Sequence, residues 1–356
     1  MIVKEHVPLA PFTTFHIGGL ARYFIEATSV EEVRTALRFA REKELEVFVL
    51  GGGSNILIAD EGFPGVVLHV QLQSMSSISQ GDTEIVVGSA GVSLDAFVAW
   101  TVMQGWSGLE CLSGVPGTLG GAVVANVGAY GQQVSDTFIS AEVVDTHDKE
   151  YVVQTIQNDA CAFSYHDSMF THHQRYVVLS ATFRLPHGLP AIPVYKDNRF
   201  DTAAFIAKHN RTPTLSDVRE TILHIRDQKG VLATSYQGAG SYFHMPFVSP
   251  QKHEEIRIRA HTLDAEKEER LRPWSWEQAD GTYKVAPGFL IEYTEFQKGY
   301  ARGRVGISPK HTLTVINLAD ASAHEVASLA HDIQTAVADL FGLQLEREVE
   351  YVGVVA

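Results

Sequence analysis

Gly114-Val-Pro-Gly-Thr-Leu-Gly-Gly-Ala-Val-Val-Ala-Asn-Val-Gly-Ala-Tyr-Gly131 is the stretch on which the fold of this chain depends. The segment, called here the glycine run, is rich in glycine and has few charged side chains nearby. Glycine lets backbone N–H groups approach an anion closely, so the run predicts phosphate binding by the backbone rather than by lysine. Glycine spacing alone is also typical of a tightly turning structural segment, and that alternative stays open at this point.

A second glycine cluster lies upstream, directly after the predicted strand Val47–Leu50. It reads Gly51-Gly52-Gly53-Ser54-Asn55 and is called here the upstream loop. A Rossmann or P-loop interpretation fails, because residues 56–65 do not have a helical pattern and no Gly-Lys-Ser/Thr follows. The upstream loop is therefore expected to bind its ligand without a helix dipole, through Ser54, Asn55 and backbone N–H groups.

Length and composition limit the classes of protein. A chain of 356 residues predicts two or three domains, and 28 basic against 42 acidic residues give a net charge of −14, which argues against a nucleic-acid surface. No run approaches the ~18 apolar residues of a membrane span, and the first residues do not resemble a signal peptide. Two cysteines are too few for a disulfide framework. We expect a cytoplasmic enzyme or binding protein without membrane association, and a monomer.

Local signals predict several elements near these segments. Helices are expected from the capping box of Ser29 and Glu32, from Ser93 to Gly105, and from Ser322 to Phe341. Short apolar runs predict strands near residues 287–292 and at the end of the chain, over 345–351.

The last predicted strand carries a cluster of acids. Alternation along a strand would place Glu346, Glu348 and Glu350 on one face, where mutual repulsion would raise the pKa of at least one carboxyl. The alternative is that all three face solvent.

Other candidate residues have ordinary explanations as well. Arg226 and Lys229 are spaced i, i+3 near the end of a helix that begins at Ser216, which fits either a solvated basic face or a clamp for an anion. Cys111, between leucines, is expected to be a small core residue. The histidines and cysteines do not have zinc-site spacing, so no metal is expected.

Six segments together resemble one family. Their order and spacing over nearly the whole chain are similar to those of the MurB family of UDP-N-acetylenolpyruvoylglucosamine reductases, FAD enzymes of peptidoglycan synthesis. The segments are 13–19, 51–55, 114–131, 163–170, 240–243 and 345–349.

The resemblance implies an α+β fold: a two-lobed FAD-binding fold of the PCMH/vanillyl-alcohol-oxidase type and a C-terminal α+β substrate-binding domain. The implied boundaries are 1–72 for the first lobe, 73–230 with 343–356 for the second lobe, which the last strand completes, and 231–342 for the substrate domain. Val194-Tyr195 resembles the tyrosine-bearing loop that some members of the family have.

The resemblance also implies a reaction. NADPH reduces the flavin, and the UDP-sugar enolpyruvate substrate then receives hydride at its vinyl carbon, so the adjacent carbon needs a proton donor and the enolate-like species needs acids or cations. Ser241 matches the family's proton donor and Glu348 its glutamate, and His166 stands where the family has a stabilising arginine. Substrate-binding residues are expected at Tyr195, Arg226 and Lys229. The FAD-binding residues are expected to be Gly51, Gly52, Gly53, Ser54, Asn55, Gly114, Val115, Pro116, Gly117, Gly120, Gly121, Ala122, Asn126, Gly128 and Tyr130.

The departures from the family pattern fall in the substrate half. Besides His166, they are His244 and Met245, where lysine and asparagine are usual, the Gly230 continuation after Lys229, and Glu350, where arginine is common. Two alternatives therefore stay open beside the family reaction: an NAD(P)H-dependent flavoenzyme that reduces a different unsaturated acid, and a flavin-binding protein that has lost catalysis.

Overall fold

The computed structural model describes residues 1–171, 175–188, 202–232 and 234–355. The α-helices are α1 Val30–Glu42, α2 Leu94–Gln104, α3 Leu119–Val124, α4 Thr202–His209, α5 Leu215–Lys229, α6 Pro250–Leu263, α7 Ala265–Arg270, α8 Pro287–Ile291 and α9 Ala323–Phe341. The strands are β1 Val3–Pro8, β2 Leu20–Ala27, β3 Val47–Leu50, β4 Ile56–Ile58, β5 Phe63–Val70, β6 Met75–Gln80, β7 Thr83–Ser89, β8 Gly128–Ala129, β9 Gln132–Gln133, β10 Phe138–Asp145, β11 Val153–Gln157, β12 Tyr176–Pro186, β13 Gln237–Gly238, β14 Phe247–Val248, β15 Ser275–Glu277, β16 Tyr283–Val285, β17 Ala301–Arg302, β18 Val305–Ile307, β19 Val315–Asn317 and β20 Glu350–Val352. In these ranges no helix is long and apolar enough to cross a membrane.

The first of two compact units comprises residues 1–7, 20–53 and 63–227. One of its sheets has the order β1-β2-β5-β3, with β2, β5 and β3 parallel, and the other is antiparallel with the order β11-β10-β12-β7-β6. Burial alternates along β7, as expected for a strand with one face on a core.

Caps place the helices of this unit where the sequence predicts them. The Ser29 hydroxyl accepts a hydrogen bond from the Glu32 N–H at the start of α1. Ser93 caps α2 in the same way, and α2 ends at Gly105, whose φ of +81° is the left-handed geometry that favours glycine. Both predicted helices are confirmed.

The second unit comprises residues 8–19, 54–62 and 228–356. Its sheets have the orders β13-β19-β18-β17 and β14-β16-β15, and β20 pairs with β4. Helix α9 begins with the predicted capping box of Ser322 and Glu325 and ends at Gly342, and it buries the stripe that contains Val326, Leu329 and Ile333.

Two elements differ from the predictions. Residues 287–291 form helix α8 rather than a strand, because a short apolar run fits either element and Pro287 suits the first turn of a helix. The last strand is limited to β20 and runs parallel to β4, which the resemblance had placed in the first lobe. Both strands of this pair lie in the second compact unit. The three domain boundaries stay a prediction.

Candidate active site

The two glycine segments of the first unit contact each other directly. A Cβ on Gly52 would lie 2.6 Å from Cα of Gly117, and a Cβ on Gly51 would lie 2.7 Å from Oγ1 of Thr118. Gly117 also has a φ of +110°, which side chains rarely permit. The structure thus brings the predicted segments together at a place where only glycine backbone fits.

Hydrogen bonds divide the glycines of this region into two groups. The N–H of Gly114 donates to Asp95 Oδ1 at 2.6 Å, and those of Gly120 and Gly121 donate to Ala90 and Thr118. In the described part of the chain, the N–H groups of Gly52 and Gly117 have no protein acceptor. Two backbone donors on glycines that approach each other this closely fit a pyrophosphate, so the residues present suit the expected FAD.

Asn126, predicted to bind the cofactor, has its side-chain amide engaged within the protein. It is 2% exposed, its Nδ2 donates to the Ser164 carbonyl at 2.8 Å, and its Oδ1 accepts from the Ser135 N–H at 3.0 Å. The side chain thus links the glycine run to the turn at residues 164–167.

His166 lies in that turn, half-buried, with a φ of +52°. The turn is closed by mutual backbone bonds between Ser164 and Asp167, and the Tyr165 ring meets the His166 ring edge-on at 4.4 Å. Next to it, the Ser168 hydroxyl donates to the Val124 carbonyl at 2.5 Å. The turn that contains His166 is therefore hydrogen-bonded to the second half of the glycine run through Ser164 and Ser168.

Arg226 is buried, so it does not belong to a solvated basic face, one of the two alternatives for this residue. It is 9% exposed; burial lowers its pKa, whereas Tyr130 and Asp95 act to raise that pKa. Tyr130 packs with Cys111 and with α5, and burial raises the pKa of the Cys111 thiol to about 12, as expected for an inert core cysteine. Among the other predicted residues of this unit, Val115 and Ala122 pack on its core.

Lys229 is the last residue of α5 and is half-buried. Tyr195 lies outside the described residues.

In the second unit, backbone pairing places Ser241 and Glu348 on neighbouring segments. The N–H of Glu348 donates to the Tyr242 carbonyl at 2.9 Å, and Phe243 pairs with Arg347. Ser241 follows Gly240, whose φ of +72° turns the chain, and it is half-buried. Among the described residues the Ser241 hydroxyl makes no hydrogen bond, so it is available to a ligand.

Glu348 differs from the other glutamates of its segment. Glu346 and Glu350 are exposed, whereas the Glu348 side chain is 19% exposed. Burial raises the pKa of Glu348 to about 7, and Lys284 opposes the rise. The expected repulsion among three aligned glutamates is therefore wrong: residues 345–349 do not form a continuous strand, and desolvation is the cause.

Asn55, predicted to bind the cofactor, is hydrogen-bonded to the Glu348 segment. Its Nδ2 donates to the Glu348 carbonyl at 3.1 Å, and its own carbonyl accepts from the Glu350 N–H at 3.0 Å. The pairing of β20 with β4 next to it explains why a residue of the upstream loop reaches this place.

Two residues near Glu348 were not assigned to the site from the sequence. His244 Nδ1 lies 3.9 Å from the Glu348 carboxylate, and Lys284 on β16 interacts with it electrostatically. His244 was visible only as a departure from a motif. Lys284 stands in a charged segment, 254–285, to which the sequence assigns no role.

The raised pKa predicts how stability depends on pH. In the unfolded chain Glu348 would titrate near 4.5, so folding takes up a proton, and this contribution is complete below about pH 4.5 and is lost as pH rises through about 7. The loss is on the order of 3 kcal/mol at most. Glu348→Gln should remove this part of the pH dependence of the melting temperature. Glu346→Gln, at an exposed position, is the control, and an equal effect of both changes would refute the assignment.

Family models match both halves of the chain, and a solved structure matches nearly all of it. A family model described as an FAD binding domain matches residues 21–153, and one described as the C-terminal domain of UDP-N-acetylenolpyruvoylglucosamine reductase matches residues 233–352. In overall fold the chain is similar to the crystal structure of UDP-N-acetylenolpyruvylglucosamine reductase (MurB) from Thermus caldophilus, with a TM-score of 0.67, 22% identity and coverage of 99% of this chain and 100% of that chain. The predicted fold class is confirmed.

Curated relatives extend over nearly the full length. A UDP-N-acetylenolpyruvoylglucosamine reductase from Thermobifida fusca is 35% identical over 98% of both chains. Those from Streptomyces avermitilis and Pseudomonas putida are 37% and 34% identical, over 98% and 97% of this chain and 94% and 97% of theirs. Identity at this level across both domains leaves one conclusion: the chain belongs to the UDP-N-acetylenolpyruvoylglucosamine reductase (MurB) family.

Proposed function

We propose that this protein uses NADPH and FAD to reduce UDP-N-acetylglucosamine enolpyruvate to UDP-N-acetylmuramate in the synthesis of peptidoglycan precursors. The observation that carries the proposal is the backbone pairing of the Ser241 and Glu348 segments. One segment carries a hydroxyl that bonds to no described residue, and the other carries a carboxyl whose pKa burial raises to about 7. The full-length relatives named for this activity support it.

The cofactor is proposed to bind at the glycine segments. The N–H groups of Gly52 and Gly117, which have no acceptor among the described residues, are suited to its pyrophosphate. Gly114, Gly120, Gly121 and Asn126 contribute by shaping the backbone, since their polar groups bond within the protein. When bound, FAD carries hydride from NADPH to the substrate.

The remaining chemistry is assigned to side chains. Ser241 holds the proton that the carbon next to the substrate carboxylate takes up. Glu348, whose pKa burial raises to about 7, is proposed to donate a hydrogen bond to the developing enolate-like oxygen. His166 is proposed as a further catalytic residue, which supplies positive charge when it is protonated. Tyr195, Arg226 and Lys229 are proposed to bind the anionic substrate. The proposed setting is a monomer in the cytoplasm.

Substrate-dependent oxidation of NADPH tests the proposal. The purified protein should be yellow and should oxidise NADPH only when the enolpyruvyl sugar nucleotide is present. Anaerobic bleaching by NADPH without turnover of that substrate would indicate a reductase of a different unsaturated acid. A flavin that NADPH does not bleach would indicate a protein that has lost catalysis.

His166→Arg tests the role of the histidine. Arginine keeps its charge at all working pH values, whereas histidine loses its charge as pH rises. In the unchanged protein, we expect reoxidation of the flavin by substrate to slow as pH rises. At high pH this reoxidation should be faster in His166→Arg than in the unchanged protein. Reduction of the flavin by NADPH should not depend on pH in this way in either protein. A flat profile together with full activity of His166→Ala would remove His166 from the site.

A further inference from the structure

The Asp95 carboxylate joins two separate parts of the first unit. Its Oδ1 accepts from the Gly114 N–H at 2.6 Å and from Nη1 of Arg219 at 2.6 Å, and its Oδ2 accepts from Nη2 of Arg219 at 3.0 Å. Asp95 stands in the first turn of α2, Gly114 opens the glycine run and Arg219 belongs to α5. Asp95 and Arg219 thus form a bidentate, charge-assisted pair, and the carboxylate accepts a third hydrogen bond from the backbone.

The surroundings strengthen this contact relative to a surface ion pair. The side chains of Asp95 and Arg219 are 37% and 17% exposed. Burial by itself would raise the pKa of Asp95, but Arg219, the Gly114 N–H and Arg226 together hold that pKa below its ordinary value. The carboxylate therefore stays ionised and paired at neutral pH.

The start of α2 is bonded to the glycine run at further points. The Leu94 N–H donates to the Gly117 carbonyl at 3.0 Å, and Ser93 pairs with Thr118. Asp95 is the member of this group that uses a side chain and that also reaches α5. The glycine run, which includes Gly117, is thus connected to α5 through Asp95.

Helix α5 carries Arg226, one of the proposed substrate-binding residues. Arg226 lies seven residues after Arg219, about two turns, so both side chains project from the same side of the helix. On the same helix, Val218 and Ile222 pack with Tyr130 and Cys111 of the neighbouring segments. The bond between Arg219 and Asp95 therefore fixes the position of α5 along and around its axis, and with it the position of Arg226.

We propose that Asp95 and Arg219 are positioning residues that hold the glycine run and α5 in register, so that the FAD-binding backbone and Arg226 are presented together. The inference rests on the proposed function in that it takes the glycine run to bind FAD. Neither side chain is assigned a contact with cofactor or substrate.

The test compares two lysine substitutions in the same region. Arg219→Lys removes the forked pair with Asp95. Arg211→Lys removes a similar forked pair, with Asp217 at 2.6 and 2.7 Å, at the start of α5. The Arg211 pair is exposed and bonds to no part of the glycine run, so it is a matched control.

We expect Arg219→Lys to weaken the Kd for FAD by about 10- to 100-fold, the range for hydrogen bonds to charged groups, and Arg211→Lys to change it less than about twofold. Asp95→Asn, which can still accept from Gly114, should weaken binding less than Asp95→Ala. In the apoprotein, hydrogen exchange over residues 113–125 should be faster in Arg219→Lys than in Arg211→Lys.

Equal Kd values and equal exchange for the two lysine variants would overturn the inference while the proposed function stands. A parent protein that takes up no FAD would overturn both. A fall in melting temperature common to both variants, with the Kd for FAD unchanged, would show that the Asp95 pair only stabilises the fold.

Discussion

The Ser241→Ala protein should keep the reduction of its flavin by NADPH and lose most of the reoxidation of that flavin by substrate. If the hydroxyl holds the proton for the substrate carbon, its removal should slow the second half-reaction by ~10²–10⁴-fold, the range for general-acid catalysis. Stopped-flow absorbance of the flavin measures the two half-reactions separately. The hydroxyl makes no hydrogen bond among the described residues, so its loss should hardly disturb the fold.

Two further variants show whether that result is specific to the proposed proton transfer. Ser328→Ala, on α9, whose hydroxyl accepts a hydrogen bond from Arg302, should leave both half-reactions unchanged. Glu348→Gln should slow the second half-reaction as Ser241→Ala does, because the two act on the same proposed intermediate. Equal slowing of both half-reactions by Ser241→Ala would mean structural damage and would withdraw the proton-donor role.

The Gly52→Ala protein should lose its flavin. A Cβ at this position would lie 2.6 Å from Cα and 3.0 Å from the carbonyl carbon of Gly117, so backbone would have to move. Movement would separate the two N–H groups proposed to bind the pyrophosphate. We expect the Kd for FAD to rise by about 100-fold or more, corresponding to about 3 kcal/mol, and the protein to be purified colourless.

Gly288→Ala is the matched control for that change. Its Cβ would meet Leu313 and Thr312 at 3.7 and 3.8 Å, which is ordinary contact, and the residue lies in helix α8. It should bind FAD as the parent does. A yellow Gly52→Ala protein with an unchanged Kd would show that the flavin is held elsewhere.

Features set by neighbouring residues could be predicted from the sequence. The caps at Ser29, Ser93 and Ser322 and the left-handed end at Gly105 were confirmed because a capping hydroxyl and its partner lie within three or four residues. The two glycine segments were recognisable for a similar reason: glycine is needed where backbones approach closely.

Features set by distant partners could not be predicted. Nothing local pairs Asp95 with Gly114 or Arg219, since an acid in the first turn of a helix is common for its effect on the dipole alone. Likewise, alternation suggested a full strand around Glu348, but the ladder extends only where β4 runs beside β20, at Ile56–Ile58. The burial that raises the pKa of Glu348 depends on that long-range arrangement.

The pairing of β20 with β4 also has a consequence during protein synthesis. Glu350 is added about 300 residues after its partner Ile56, which at the usual 5–20 residues per second takes about 15 to 60 s. In addition, the backbone N–H of Ala323 donates to Asp60, and Asn317 donates to the carbonyl of Phe15. The early segments of the second unit must therefore wait on the ribosome for those partners that come from the last third of the chain, while nearly the whole of the first unit is translated and able to fold.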